Sequence, residues 1–381
     1  MSRRSGCLSR RRFLRGTGLA SLVILGGCRR DSFQLQPEAL PPPLLASEQA
    51  GSTSDPMQFS KRERSARTIF GGHDTPNPGG SKDVQQFVSD LEALGMGTAV
   101  CIDPSSRLVA ALDQAGIRLI VRLVQEHNVF NERNVMWTLN KLDGVPGVTI
   151  QAFNEPNIEG IAISPEDHVR RHFMSAARVI LPRVAPFGGT LFLTPLAPYA
   201  KFQAMDELDA YRQMLVALND EITLDEQWMW SHIRIGVHAY SYYLGDNRIW
   251  GRIQKLSAIA EEMTGRSLPL EITEAGLNID WPNQYTDEQI LVETIAMLQS
   301  PIPPSLTGTV RSFCLWVTAN YAQRDAWHQD LGRDQQELQT ELDKFETAAL
   351  RRLDGVTPTY LAIKDQAAAV VPQGVLGSRA H

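Results

Sequence analysis

The chain has 381 residues, room for one large domain or two ordinary ones, with 43% apolar and 21% charged residues as in soluble globular proteins. Its formal net charge of −6 excludes the basic footprint of a nucleic-acid binder. The four cysteines form no Cys/His cluster of structural-zinc spacing, so neither a metal nor a cofactor is expected.

Residues 1–28 read as an address rather than as part of the fold. Ser9-Arg10-Arg11-Arg12-Phe13-Leu14-Arg15 resembles a twin-arginine export signal, and the apolar run over 18–25 is too short to span a bilayer comfortably. Leu25-Gly26-Gly27-Cys28 resembles the lipobox of bacterial lipoproteins, with Cys28 as the lipidated residue. These resemblances imply export by the twin-arginine route. They also imply a lipid anchor at the outer face of a bacterial membrane or in the periplasm, with the membrane surface as a partner. Residues 29–66, with Pro41-Pro42-Pro43 and Gly51-Ser52-Thr53-Ser54, read as a flexible linker, and 366–381 as a disordered tail. Cys7 and Cys28 lie in the leader; Cys101 and Cys314 lie in apolar strand-like runs and read as buried thiols.

From residue 67 onward short apolar runs alternate with amphipathic stretches. Strands are expected over 68–74, 97–103 and 117–123, then two ending at Glu155 and Thr194, then one over 233–240, one ending at Glu274 and one over 310–317. The helices between them are expected over 82–94, 106–115, 132–142, 165–181, 206–218, 250–263 and 287–298, with a last one over 335–352. Strand–helix alternation implies a parallel sheet. Eight units within 67–365 suit a single α/β domain, a (β/α)8 TIM barrel, which takes about 250 residues. The competing doubly wound sheet favours a Gly-x-Gly-x-x-Gly loop after the first strand, and Gly71-Gly72-His73-Asp74 is not one.

Two strands end in a carboxylate: Gly147-Val148-Thr149-Ile150 runs into Phe153-Asn154-Glu155-Pro156, and Pro269-Leu270-Glu271-Ile272-Thr273 runs into Glu274-Ala275-Gly276. Pro156 cannot donate to a ladder, so the first strand must stop there. A barrel keeps its chemistry at the C-terminal strand ends, and a closed barrel is what brings two glutamates so distant in sequence together. The same mouth receives His73, Asp74, Asp103, Arg122, His127, His238, Tyr240 and Trp316.

Asn-Glu-Pro ending strand four, His-x-Tyr ending strand six, Thr-Glu-x-Gly ending strand seven and Trp ending strand eight resemble the clan A glycoside hydrolases. The resemblance implies a retaining glycosidase that cleaves O-glycosidic bonds of a poly- or oligosaccharide, with Glu155 as acid/base and Glu274 as nucleophile about 5–5.5 Å apart. It implies that Asn154 binds the sugar 2-hydroxyl, that Tyr240 or His238 orients Glu274, and that Trp316 offers a platform to a sugar ring. His73 and His127 are further candidates for substrate contact. Glu271 lies three positions before Glu274; because strand side chains alternate, it is expected in the helix layer against a cation. The aromatic region of Trp228, Trp230, Tyr242, Tyr243 and Trp250 either lines outer sugar subsites or packs helices.

The pattern departs from the family in two places. The arginine that many members carry near strand two is missing, with Arg107 and Arg122 as the nearest, and strand five ends in the apolar Thr194-Pro195-Leu196-Ala197-Pro198. Rival readings are a metal-dependent barrel hydrolase using ligand types such as His73, His127, His238 and the two glutamates, and a non-catalytic carbohydrate-binding lipoprotein. A transglycosylase uses the same two residues as a hydrolase. The chain is expected to act as a monomer.

Overall fold

The computed structural model describes residues 69–74, 83–160, 162–241, 248–277, 285–316, 349–352, 355–368 and 375. The expected export leader, the linker, most of the expected last helix and most of the tail therefore lie outside the described residues. Among the described residues no helix is long and apolar enough to cross a membrane.

Eight parallel strands close into a barrel in sequential order. They are β1 (Phe70–His73), β2 (Thr98–Ile102), β3 (Arg118–Arg122), β4 (Thr149–Gln151), β5 (Thr190–Leu193), β6 (Ile233–Ser241), β7 (Leu270–Leu277) and β8 (Val310–Leu315). The intervening helices are α1 (Val84–Ala93), α2 (Ser106–Gln114), α3 (Glu132–Lys141), the one-turn α4 (Pro156–Glu159), α5, α6 (Glu207–Glu221), α7 (Ile249–Thr264) and α8 (Asp287–Gln299). Helix α5 runs as Pro165–His168, passes through a π turn at Val169–Phe173 and continues as Met174–Val184. The expected single-domain (β/α)8 barrel is the observed fold. Several helices start where a short polar side chain accepts from a free backbone N–H: Asp83 for α1, Ser105 for α2, Asn131 for α3, and Thr286 in a capping box with Gln289 for α8.

The expected helix over 335–352 is corrected at its end. Arg351–Arg352 pairs antiparallel with Gly355–Val356, and the helix that follows is α9 (Pro358–Ala367). It is latched to α1 through Asp90, which is buried and receives the Tyr360 hydroxyl at 2.9 Å and the Arg351 guanidinium at 2.5 and 2.6 Å. Helix α9 extends past Asp365, and Val375 is buried.

Apolar side chains sort into two cores. Outward-facing strand residues such as Ile235, Val237, Ala239, Leu270 and Ile272 pack against the helices in one continuous layer. Inside the barrel, Val100, Ile120, Phe192 and Cys314 form a separate apolar tier. Gly236 makes room for it, since a Cβ there would lie 2.5 Å from the Phe192 ring. Cys101 belongs to the outer layer and Cys314 to the inner tier, both as free, buried thiols.

One departure from strict alternation matters for everything above the apolar tier. On β7, Ile272 pairs with Val237 but Glu274 pairs with His238, so Thr273 is an extra residue, a β-bulge. The bulge resets the parity. Glu271 and Glu274 therefore both enter the barrel, contrary to the expectation that Glu271 faces the helices. Below the apolar tier Glu271 accepts two parallel bonds from Arg118, at 2.8 and 2.9 Å, and a third from Arg234. Burial alone would raise this carboxyl, but the two guanidinium groups outweigh it and hold it at about 2.

Because its folded value is depressed, Glu271 contributes stability that is present above the ordinary carboxylate value and is lost as pH falls through that value toward about 2. Glu271→Gln is expected to cost ~3–5 kcal/mol at pH 7, since it strands two buried cations. It should also flatten the acid-side decline of unfolding free energy below pH ~4.5. Urea unfolding across pH checks both, and an unchanged midpoint would contradict the floor assigned to this ion pair.

Candidate active site

The fourth strand leaves its ladder earlier than expected, at Gln151 rather than at Glu155. The cause is the loop after β3. Asn128, itself at positive φ, clamps the backbone of Asn154 from both sides, donating to its carbonyl at 2.6 Å and accepting from its N–H at 2.7 Å. Glu155 then takes a left-handed conformation, φ 41°, and its N–H donates to the carbonyl of Pro195 at 3.0 Å. For a residue with a Cβ that conformation costs on the order of 1–2 kcal/mol. The apolar end of β5, which carries no polar side chain to the mouth, thus supplies the backbone acceptor that holds Glu155.

Glu155 and Glu274 are both buried, 9% and 5% exposed. Between them stands His238, fully buried, whose Nδ1 shares a 2.8 Å hydrogen bond with Glu155 Oε1 and lies 3.4 Å from Glu274 Oε2. One ligand-type atom from each of the three lies within 4.8 Å of the others. Burial depresses the imidazole to about 4, with Arg122 and Arg252 adding to the effect against the pull of Glu274, so His238 is neutral at pH 7. A neutral imidazole nitrogen either donates to a carboxylate or accepts from a protonated carboxyl, which lets His238 follow a proton on Glu155.

Glu274 has two further donors. The Tyr240 hydroxyl donates to Oε2 at 2.7 Å and Arg122 Nη1 donates to Oε1 at 3.2 Å. Burial raises this carboxyl above the ordinary range; His238, Arg122 and Tyr240 pull it back and Glu155 pushes it further up. Arg122 ends β3 and supplies the cation that the end of β2 lacks, while Arg107 is exposed. The back of β6 is fixed by Arg252 on α7, which donates to the His238 carbonyl and to Glu207, and by the Tyr211 hydroxyl, which donates to the Gly236 carbonyl at 2.8 Å.

Asn154 is oriented at both ends of its amide. Gln151 donates to its Oδ1 at 2.8 Å, and its Nδ2 donates to Glu159 at 3.1 Å. His73 is fully buried, bonded through Nδ1 to the Asp74 carbonyl and set edge-on to Trp316 with ring centroids 4.3 Å apart. Burial holds it neutral, at about 3, although the Asp74 bond opposes this. Its Nε2 has no hydrogen-bond partner among the described residues. Trp316 lies just past β8, partly exposed.

Not every candidate joins the cluster. His127 is half-exposed and its Nε2 faces Glu126 at 3.8 Å; the residue of that loop that reaches the cluster is Asn128. Asp103 is tied to Thr138 and Lys141 of α3, at 2.7 and 2.8 Å. Trp228 and Trp230 lie in a turn that enters β6 at the N-terminal end of the barrel, and Trp250 packs on Phe313. Tyr242 and Tyr243 lie outside the described residues. Sequence reasoning missed Asn128 and Glu159 and gave Arg122 no role. The signals were faint: an asparagine in a loop, and a second glutamate one helical turn after the first.

Asn128→Ala leaves the N–H and carbonyl of Asn154 buried without their partner. A loss of ~1–3 kcal/mol is expected in urea unfolding; a loss below about half a kcal/mol would mean that Asn128 does not hold this turn.

No family model matches the chain, and no curated protein does. Solved structures are similar at low identity. A GH2 beta-galacturonidase from Eisenbergiella tayi matches at 13% identity over 79% of this chain and 51% of its own, with a TM-score of 0.49. A family 39 glycoside hydrolase from Bacteroides cellulosilyticus matches at 14% over 79% and 63%, TM-score 0.47. A GH128 endo-beta-1,3-glucanase from Sorangium cellulosum matches at 14% over 78% and 96%, TM-score 0.45. The chain spans about half the length of the first and 63% of the second. Likeness at this level bears on none of the site's chemistry.

Proposed function

We propose that the protein is a retaining glycoside hydrolase that cleaves O-glycosidic bonds of an oligo- or polysaccharide through Glu155 and Glu274. The observation that carries the reading is the pair itself: two buried carboxyls, one just past the end of β4 and one on β7, with oxygens within 4.8 Å. That spacing suits direct attack by one of them, whereas an inverting pair stands ~6.5–9.5 Å apart to admit a water.

The environments divide the roles. Arg122 can only donate, and with Tyr240 it favours an ionised Glu274, the form that attacks. Glu155 meets the amphoteric Nδ1 of a neutral imidazole, a partner suited to a carboxyl that gives up a proton and takes one back. In the first step Glu155 protonates the leaving oxygen as the anomeric carbon–oxygen bond breaks, and Glu274 bonds to that carbon. In the second, Glu155 takes a proton from water, whose oxygen attacks the same carbon and frees Glu274. Asn154, held by Gln151 and Glu159, keeps an amide hydrogen for the sugar 2-hydroxyl, and Trp316 with His73 forms a wall for the ring. Glu155, His238 and Glu274 also match a three-ligand metal set, which makes a metal-dependent hydrolase the second reading.

The test is a screen of α- and β-linked glycans with purified protein, with and without chelator. Glu155→Gln is expected to lose ~10²–10⁴-fold in kcat, and Glu274→Gln at least as much. Azide should restore Glu274→Ala by forming a glycosyl azide of inverted configuration. Activity abolished by chelator would favour the metal reading. A protein that binds glycans and cleaves none of them would be a receptor.

The same proposal takes 1–28 as an export leader and Cys28 as the lipid anchor. Cys28→Ala should shift the protein from the membrane to the soluble fraction of its host. An unmodified Cys28 by intact mass would refute the anchor.

A further inference from the structure

Glu159 is not needed for a two-glutamate displacement, yet it is built into the same cluster. It ends α4, the single turn that Glu155 opens, and its N–H donates to the Glu155 carbonyl at 2.8 Å. Its side chain is 13% exposed. One oxygen accepts from the Asn154 amide at 3.1 Å; the other lies 3.7 Å from Arg122 Nη2, while Nη1 of the same guanidinium bonds Glu274. A single side chain thus touches the group expected to hold the sugar and the cation that serves the nucleophile.

We propose that Glu159 is a positioning residue for the glycosidase reaction, acting on Glu274 by sharing Arg122 with it, on the sugar contact by orienting the Asn154 amide, and on Glu155 by the proximity of its charge. The inference rests on the glycosidase reading for its kinetic consequences but not for its electrostatic ones.

Among the described residues, few charged or polar groups face Glu159. Arg122 faces it from β3, Asn154 from the end of β4 and Glu155 from the head of its own turn. The 126–128 turn beside α4 carries Glu126 and His127, both exposed and facing each other at 3.8 Å. Burial raises the Glu159 carboxyl to about 7, with Glu155 adding to it and Arg122 and Asn154 opposing. Near neutrality it therefore changes charge beside two carboxyls whose own protonation the reaction needs. The influence is mutual. An anionic Glu159 opposes ionisation of Glu155 and draws Arg122 away from Glu274.

Removal of that charge has a defined sign. In Glu159→Gln, Glu155 loses a neighbouring anion and ionises more easily, so the basic limb of the kcat/KM profile moves to lower pH. Arg122 is released toward Glu274, which also ionises more easily, so the acid limb moves the same way but less, because Glu159 is already largely protonated below about 7. The basic limb is expected to move down by about one pH unit, the scale on which a neighbouring charge acts, and the acid limb by less. Loss of the amide orientation should lower kcat about tenfold, within the range of a misplaced transition-state contact, with KM changed less. Glu159→Asp keeps the charge and should keep the wild-type profile.

The experiment pairs these profiles with carboxyl ¹³C titration of Glu155 and Glu274 in the full-length wild type and both variants, together with their thermal midpoints. Downward displacement of both titrations in Glu159→Gln, and not in Glu159→Asp, supports the proposal. Titrations superimposable on wild type overturn it, whatever the activity, including the case where the variant merely unfolds at lower temperature. If wild type cleaves no glycan, the glycosidase reading fails while the titrations still decide the role of Glu159. Should Glu159→Gln not fold, Arg122→Lys tests the same link, because a cation with one point of contact cannot hold Glu159 and Glu274 together; an unmoved Glu274 titration there overturns the proposal.

Discussion

Buried charge inside a closed barrel must be compensated within the barrel, and the way this is done at each end organises the molecule. At the floor, Arg118 and Arg234 meet the one carboxylate of Glu271, and the carboxyl is held at about 2. At the mouth the balance is reversed. Arg122 stands among Glu155, Glu159 and Glu274; Glu159 rises to about 7 and Glu274 above the ordinary range. The apolar tier of Val100, Ile120, Phe192 and Cys314 separates the two. Over-compensated carboxylates stay charged and hold structure together, whereas under-compensated ones hold their protons more tightly than a free carboxyl does, because burial is not fully offset.

Placement of those carboxyls depends on backbone more than on side-chain contacts. Glu155 sits at positive φ, kept there by the Pro195 carbonyl on one side and by Asn128, through Asn154, on the other. Glu274 owes its direction to the bulge at Thr273. One device follows the end of β4 and the other interrupts β7, and each turns a side chain that regular geometry would aim elsewhere. His238 bridges them from a strand end anchored from behind by Arg252 and Tyr211.

Much of the fold was legible in the residues. Eight apolar runs, separated by amphipathic stretches several of which start at Ser, Thr, Asp or Asn, specify strand–helix alternation through local preferences that act within a few residues. The two glutamates were legible for the same reason: each lies where an apolar run ends at a breaker or a glycine, and strand ends of a parallel barrel share one mouth. His238 and Tyr240 followed from their place at the end of β6.

The rest was decided in three dimensions. Alternation by two predicts Glu271 outside the barrel, and an inserted residue at Thr273, visible only in the pairing of β7 with its neighbours, brings it inside. Arg122 in place of an arginine on β2, Asn128 in place of His127 and Glu159 behind Asn154 are matters of reach between chain segments distant in sequence. By itself the sequence determined the number of barrel strands, their order and the two ends that carry glutamate, because those follow from local periodicity. Which side chains touch, which carboxyl is compensated and which is left to titrate depend on closure of the barrel, which brings together charges that no local pattern relates.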